Sequence, residues 1–165
     1  MGSMPTDDQI SDITVRVNYS EVDQMGVVYH ARYVVWFDVA RTEHLRRTGL
    51  SYRELEAHGF RLVVGELAVR YLRSARYDDE CRVRCWVRDL ASRRVIFGYA
   101  VELVATGELL VTATTSMIVL DASMKLARLP ESVHGRLVVM QKEFDTAVVG
   151  AGVLGLAHAL SLIHI

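Results

Sequence analysis

The sequence of 165 residues predicts an α+β domain in which one curved antiparallel sheet wraps around a long central helix. Three observations lead to this prediction. They are one long apolar helical segment near the N-terminus, a series of alternating apolar and polar runs after it, and short turn signals between those runs. Short turns join antiparallel neighbours, because parallel strands need crossover connections of about a dozen residues or more.

The first half of the domain is predicted as a strand, a loop and a helix. Residues 13–17 alternate between apolar and polar, as in a half-buried strand, and a polar loop covers residues 18–26. The helix is expected over residues 30–48 and ends before Gly49, with arginines in its last turn. Residues 33–37 are apolar around most of the helix, so we expect it to be buried on nearly all sides.

The second half of the domain is predicted as a short helix and an antiparallel meander. Ser51 and Glu54 form a capping-box pattern for a short helix that ends at Gly59. About four long strands follow, in alternating runs that include residues 67–71, 81–87, 95–103 and 109–120. This order of elements predicts the hotdog architecture, and an ordinary α+β sandwich with a surface helix is the alternative.

Composition excludes several classes of protein. Nineteen Lys and Arg against twenty Asp and Glu leave a net charge of −1, which argues against binding nucleic acid through bulk positive charge. Cys81 and Cys85 lie too far apart along one strand to form a disulfide, so we expect free thiols and a cytoplasmic protein. The six histidines lack the spacing of metal ligands, and no metal site is expected.

The domain is expected to cover residues 10–140. Residues 1–9 are interpreted as a tag and a disordered N-terminus, and residues 141–165 as an apolar tail. Within that tail, a Gly-x-Gly-x-x-Gly turn that ends at Gly155 resembles the start of a flavin-dependent oxidoreductase. We expect no complete cofactor site there, because no βαβ unit follows. The tail lacks flanking membrane anchors, so no membrane span is expected.

The segment best suited to chemistry connects the first strand to the helix. Glu21 and Asp23 precede Gly26, and the helix begins close to Tyr29 and His30. A helix start exposes unpaired N–H groups at the positive end of the dipole. Such donors stabilise a carbonyl oxygen as it gains negative charge, while a carboxylate attacks the carbonyl or activates water. The pattern is suited to acyl transfer, and a capping or solvated role for both carboxylates is the alternative.

Two motifs carry a family resemblance. Residues 23–33 read Asp-x-x-Gly-Val-Val-Tyr-His-x-x-Tyr, followed by Ala-Arg-Thr-Glu at 40–43, and residues 71–79 read Tyr-Leu-Arg-Ser-Ala-Arg-Tyr-Asp-Asp. In these motifs, and up to about Leu129, the chain resembles the 4-hydroxybenzoyl-CoA thioesterase-like hotdog acyl-CoA thioesterases. It departs from them at Ser74, where the family often has Pro, and at residue 21, where a Glu replaces the usual Asp.

The resemblance implies a role for each residue of the site. Asp23 is implied to be the catalytic base or nucleophile, and the backbone N–H of His30 is implied to polarise the thioester carbonyl. The other implied site residues are Glu21, Gly26 and Tyr29 in the active-site loop, and Tyr33, Leu72 and Arg73 along the acyl or pantetheine channel. The resemblance also implies homodimers or homotetramers with active sites at the subunit interface, and no cofactor.

The expected function is therefore that of an acyl-CoA thioesterase, which hydrolyses an acyl- or aroyl-CoA thioester to the free acid and CoA. A thioesterase that acts on acyl carrier protein is one alternative, since only the group attached to the pantetheine differs. A non-hydrolytic module that binds acyl thioesters is the other. A serine-triad hydrolase is not expected, because the sequence lacks a Gly-x-Ser-x-Gly motif.

Overall fold

The computed structural model describes residues 9–142, and its elements follow the predicted order. In chain order they are β1 (Ser11–Arg16), a 3-10 turn (Tyr19–Glu21), α1 (Arg32–Arg47), α2 (Tyr52–Ala57), β2 (Phe60–Tyr71), β3 (Glu80–Ala91), β4 (Arg94–Leu103), β5 (Leu109–Asp121) and α3 (Glu131–Lys142). The predicted α+β class is confirmed. The predicted meander is confirmed for β3, β4 and β5 but wrong for β2, which pairs with β5 instead of β3, because residues 72–79 form a crossover and not a hairpin turn. Helix α3 was not predicted, because the apolar residues of this segment follow neither a clear helical period nor a clear strand period.

The described strands form one antiparallel sheet in the order β1-β3-β4-β5-β2. Consequently β1 and β2 lie at its two edges. Strand β2 contains a register shift between Val64 and Glu66, opposite β5. Gly65 lies at this irregularity, and a Cβ atom there would lie 2.6 Å from Cδ1 of Ile118. The absence of a side chain therefore allows β2 to follow β5 for its full length.

Helix α1 packs against β1 and β3 and buries one face. That face repeats every three to four residues and consists of Tyr33, Trp36, Phe37, Ala40, Arg41, His44 and Leu45. The expectation that the helix is buried on nearly all sides is wrong for a single chain, because Val35 and Val39 are each 49% exposed. The sheet of one chain covers only one side of α1, which leaves Val35 and Val39 half-exposed on the other side.

The ends of the predicted domain lie at the limits of the described residues. Gln9 is buried, although it was assigned to the N-terminal tag, and α3 continues to Lys142 across the boundary predicted after residue 140. The glycine motif of the tail lies outside the described residues. Cys81 and Cys85 are both buried and free, as predicted. Over residues 9–142, the model contains no helix that is both long and apolar enough to cross a membrane.

Candidate active site

The predicted active-site loop is a small hairpin that leads into α1. Val22 forms an isolated bridge with Val28, and the Asp23 N–H donates to the Val27 C=O at 2.9 Å. At the tip, the Gly26 N–H donates to the Asp23 C=O at 2.9 Å, and Gly26 adopts a φ of 73°. This left-handed conformation is readily accessible to glycine and costly for most other residues. Gly26 therefore lets the chain reverse within three residues of Asp23.

Asp23 lies at the start of this tight turn and is partly buried. One oxygen of its carboxylate, Oδ1, accepts a hydrogen bond from the Met25 N–H at 2.8 Å. Among the residues that the structure describes, no cation lies within ion-pair distance of this carboxylate, and Oδ2 has no hydrogen-bond donor. Asp23 thus has one oxygen held by the loop and one available to react.

Glu21 has a different environment, although only one residue separates it from Asp23. Its side chain is buried, and Oε2 accepts hydrogen bonds from the backbone N–H of Asn18 at 2.9 Å and the side-chain amide of Asn18 at 3.2 Å. Oε1 accepts from the Trp36 indole at 3.2 Å and lies 3.3 Å from the Arg32 guanidinium. Burial opposes ionisation, but these hydrogen bonds and Arg32 outweigh it and lower the pKa of Glu21. Glu21 therefore anchors the loop to α1.

The N-terminus of α1 is open. Its N-cap residue is Ala31, which provides no side-chain hydrogen bond to the first turn. The Arg32 N–H donates to the Tyr29 C=O at 2.8 Å, whereas the His30 N–H has no acceptor among residues 9–142. The half-exposed ring of Tyr29 lies 4.4 Å from the His30 ring, measured between centroids. An uncapped N-terminus offers N–H donors and a positive dipole to an incoming oxygen.

The three residues predicted to line the substrate channel have separate positions. Tyr33 is buried in the core, where its hydroxyl oxygen accepts a hydrogen bond from the Ala75 N–H at 3.1 Å. Leu72 and Arg73 directly follow β2, and both of their N–H groups donate to the Leu110 C=O. The exposed guanidinium of Arg73 lies 3.4 Å from the Glu108 carboxylate. Within one chain, Tyr33 is therefore a packing residue, and Leu72 and Arg73 lie at the end of the edge strand.

Comparison with known proteins identifies the family. The model of the thioesterase-like superfamily matches residues 17–137. The chain belongs to this superfamily. The putative acyl-CoA thioesterase YneP of Bacillus subtilis is 35% identical over 112 residues, covering 68% of this chain and 80% of that protein. The acyl-CoA thioester hydrolase YbgC of Escherichia coli is 34% identical over 120 residues, covering 72% of this chain and 89% of that protein.

Solved structures of thioesterases agree with this membership. The DHNA-CoA thioesterase of Staphylococcus aureus has a TM-score of 0.75 at 28% identity, and the match covers 86% of this chain and 99% of that one. The prediction of a thioesterase-family enzyme is thus confirmed. Its finer part, a place near the 4-hydroxybenzoyl-CoA thioesterases, goes beyond these matches.

Two residues of this candidate site were not singled out from the sequence. Trp36 donates to Glu21, and Tyr71 donates its hydroxyl proton to the His30 C=O at 2.9 Å. Tyr71 stands first in the second family motif and ends β2, where it is half-exposed and its ring lies 5.8 Å from the Tyr33 ring, measured between centroids. That position was the available signal. The motif alone does not specify which residue of the loop the tyrosine contacts.

Proposed function

We propose that this thioesterase-family protein hydrolyses an acyl- or aroyl-CoA thioester to the free acid and CoA. The observation that carries the proposal is one continuous segment of chain. It contains the Asp23 carboxylate, of which only one oxygen has a described hydrogen-bond donor, and a tight turn at Gly26. It also contains the uncapped start of α1, where the His30 N–H has no described acceptor. Relatives named as acyl-CoA thioesterases support the choice of substrate class.

In the proposed reaction, Asp23 acts as a general base towards water. As the water oxygen bonds to the thioester carbonyl carbon, Oδ2 of Asp23 accepts the proton. The carbonyl oxygen becomes negatively charged, and the His30 N–H and the positive end of α1 stabilise it. When the carbonyl reforms, the C–S bond breaks, and the CoA thiolate receives the proton from Asp23.

Direct attack by Asp23 is the second route within the same proposal. The carboxylate would bond to the carbonyl carbon, CoA would leave as the thiolate, and water would hydrolyse the resulting mixed anhydride. Both routes need an ionised Asp23 and the same oxyanion donor. Glu21 serves neither as base nor as nucleophile in this proposal, because the Asn18 and Trp36 donors and Arg32 engage its oxygens.

The proposed working form is a homodimer or homotetramer with active sites at the subunit interface. Strand β2 is an edge strand of 12 residues, and its exposed apolar side chains include Val63, Val64 and Leu67. Such an edge is expected to pair with another strand. A second chain would cover these groups and the exposed side of α1, which would complete the predicted hotdog arrangement. In this proposed assembly, the acyl or pantetheine group would lie near Leu72 and Arg73.

The test is the substitution Asp23→Asn, with Asp78→Asn as the matched control. Asp78 is an exposed loop aspartate outside the site, and its closest cation is Arg16 at 3.5 Å. With a panel of short, long and aromatic acyl-CoAs and a thiol-detecting dye, we expect Asp23→Asn to reduce thiol release by roughly 10²- to 10⁴-fold. Asp78→Asn should match the wild type, and neither substitution should change the melting temperature.

Two results would contradict the proposal. Asp23→Asn with undiminished thiol release would remove Asp23 from the mechanism. Tight binding of acyl-CoA by the wild type, with no thiol release from any member of the panel, would identify a binding module instead of an enzyme.

A further inference from the structure

A single side chain connects the edge strand to the start of α1. Tyr71 is the last residue of β2, and its hydroxyl donates to the His30 C=O at 2.9 Å across 41 residues of sequence. His30 carries the N–H that the proposed reaction needs as its oxyanion donor. The hydrogen bond therefore acts on the same residue as the proposed chemistry, but from another part of the fold.

The His30 carbonyl depends on this hydroxyl. In the first turn, the Val34 N–H donates to the Ala31 C=O at 3.2 Å, and no described N–H donates to the His30 C=O. Burial raises the pKa of Tyr71 above its usual value, so the phenol remains a proton donor at neutral pH. Tyr71 thus supplies the hydrogen bond that a regular helix would have supplied from its own backbone.

The ring of Tyr71 is itself held in place. It meets the His30 ring edge-on at 6.3 Å and the Tyr33 ring at 5.8 Å, both measured between centroids. The segment after β2 adds two further connections to the helix start, since the Val28 N–H donates to the Ala75 C=O at 2.9 Å and the Ala75 N–H donates to the Tyr33 hydroxyl. The hydroxyl of Tyr71 therefore meets His30 from a fixed position.

We propose that Tyr71 is a positioning residue of the thioesterase site, whose hydroxyl holds His30 so that its N–H keeps one orientation towards the reacting carbonyl. This inference rests on the proposed function. Tyr71 does not touch the reacting atoms and acts only through His30. An oxyanion donor must lie within about 3 Å of the developing charge, and a displacement of about 1 Å costs roughly 10²-fold in rate.

The experiment compares Tyr71→Phe with Tyr77→Phe. The first substitution removes the hydroxyl and keeps the ring contacts with His30 and Tyr33. The second removes a hydroxyl from an exposed tyrosine whose only described ring contact is with Tyr19, at 5.5 Å. We measure the single-turnover rate of thiol release, the KM for the best acyl-CoA of the panel, and the melting temperature.

We expect Tyr71→Phe to slow single-turnover thiol release by about tenfold, because the ring contacts still hold His30 approximately in place. Its KM should stay within twofold and its melting temperature within about 2 °C of the wild type, since one neutral, partly exposed hydrogen bond contributes little. Tyr77→Phe should leave all three quantities unchanged. A loss of rate at constant KM and stability is not what a merely structural residue produces.

The inference is overturned if Tyr71→Phe releases thiol within twofold of the wild-type rate. It is also overturned if the rate falls only in proportion to a rise in KM or to a loss of folded protein. These outcomes are separate from a failure of the proposed function, because that failure would appear in the Asp23→Asn variant or in the wild type and not in the comparison of the two tyrosines.

Discussion

The two ends of α1 differ in whether their backbone polar groups have partners within the protein. At the C-terminus, the Thr48 N–H donates to the Leu45 C=O at 3.1 Å, and the Gly49 N–H donates to the Arg46 C=O at 2.9 Å. Gly49 has a φ of 73°, as expected after a helix end, and Arg136 of α3 donates to its C=O at 2.7 Å. At the N-terminus, the helix has no side-chain cap, and the His30 N–H has no described acceptor.

The buried polar side chains of α1 follow the same division. In the second half of the helix, they bond to the protein itself: Arg41 to the hydroxyls of Tyr52 and Tyr99, and His44 to the hydroxyl of Ser11 at 2.8 Å. At the N-terminal end, the His30 N–H has no described acceptor, and the buried Nε of Arg32 has no described partner. The contacts of Arg41 and His44 hold the C-terminal half of α1 to the rest of the fold, whereas in the proposed function the donors at the N-terminal end serve the substrate. Substitutions in the C-terminal half should therefore change stability without changing turnover.

The largest expected effect on stability concerns the pH dependence that His44 causes. Burial, and to a lesser extent the charge of Arg47, lower the pKa of His44 to about 4, below the value of about 6.5 in an unfolded chain. As pH falls through 6.5, the unfolded chain binds the proton first, so stability is complete above pH 6.5 and is lost down to about pH 4. We expect this histidine to account for a loss of about 3 kcal/mol in the free energy of unfolding over that range.

Urea unfolding of the wild type and His44→Gln at several pH values measures this contribution. The variant should lose this part of the pH dependence, while its turnover per folded molecule at pH 7.5 should equal that of the wild type. An unchanged pH dependence in His44→Gln would show that other groups cause the acid sensitivity. Reduced turnover would break the division between the two ends of α1.

The second prediction concerns Arg41, which is buried and also pairs with Asp38. Arg41→Met leaves the Tyr52 hydroxyl without its hydrogen-bond partner, while Tyr99 keeps its contact with the Thr115 hydroxyl at 2.8 Å. We expect the free energy of unfolding to fall by about 2 kcal/mol, because the partly buried Tyr52 hydroxyl loses its partner.

The control for Arg41 lies five residues further along the helix. Arg46 is exposed and forms an i,i+3 pair with Glu43, so Arg46→Met should change stability by less than about 0.5 kcal/mol. Both variants should retain wild-type turnover per folded molecule, measured as thiol release. Equal destabilisation by the two substitutions would contradict the special role of the buried guanidinium.

Local patterns in the sequence were sufficient for every strand and α-helix except α3, and for the path of the active-site loop. Alternation located the strands, and Gly49 marked the end of α1. The segment from Asp23 to His30 located the loop, although α1 begins at Arg32, two residues after its predicted start. Each of these depends on residues that are neighbours in sequence. Backbone conformation and face alternation are decided over such short distances, and they can therefore be predicted from composition and period.

Contacts between distant segments could not be predicted in the same way. Tyr71 reaches His30 only because β2 pairs with β5 in a particular register, and a shift of one residue would move its side chain to the other face of the sheet. The exposure of Val35 and Val39 depends on how much of α1 one sheet can cover, which the apolar composition of the helix does not specify. Glu21 is hydrogen-bonded to Trp36, which lies 15 residues away in sequence but beside it in space.

The smallest expected effect on stability concerns α2, which follows the C-terminal end of α1 and lies outside the proposed site. The predicted capping box is present at α2, where the Ser51 hydroxyl accepts from the Glu54 N–H at 3.1 Å and the Glu54 carboxylate accepts from the Ser51 N–H at 2.8 Å. Ser51→Ala removes the cap and should lower the free energy of unfolding by about 1 kcal/mol, or roughly 3 °C in melting temperature. Ser123→Ala, in an exposed turn after β5, serves as the control and should have no effect, because only the backbone N–H of Ser123 is bonded there. Both variants should release thiol at the wild-type rate.

A slower rate in Ser51→Ala at unchanged stability would mean that α2 contributes to the reaction, and the functional part of the molecule would then extend beyond the N-terminal end of α1.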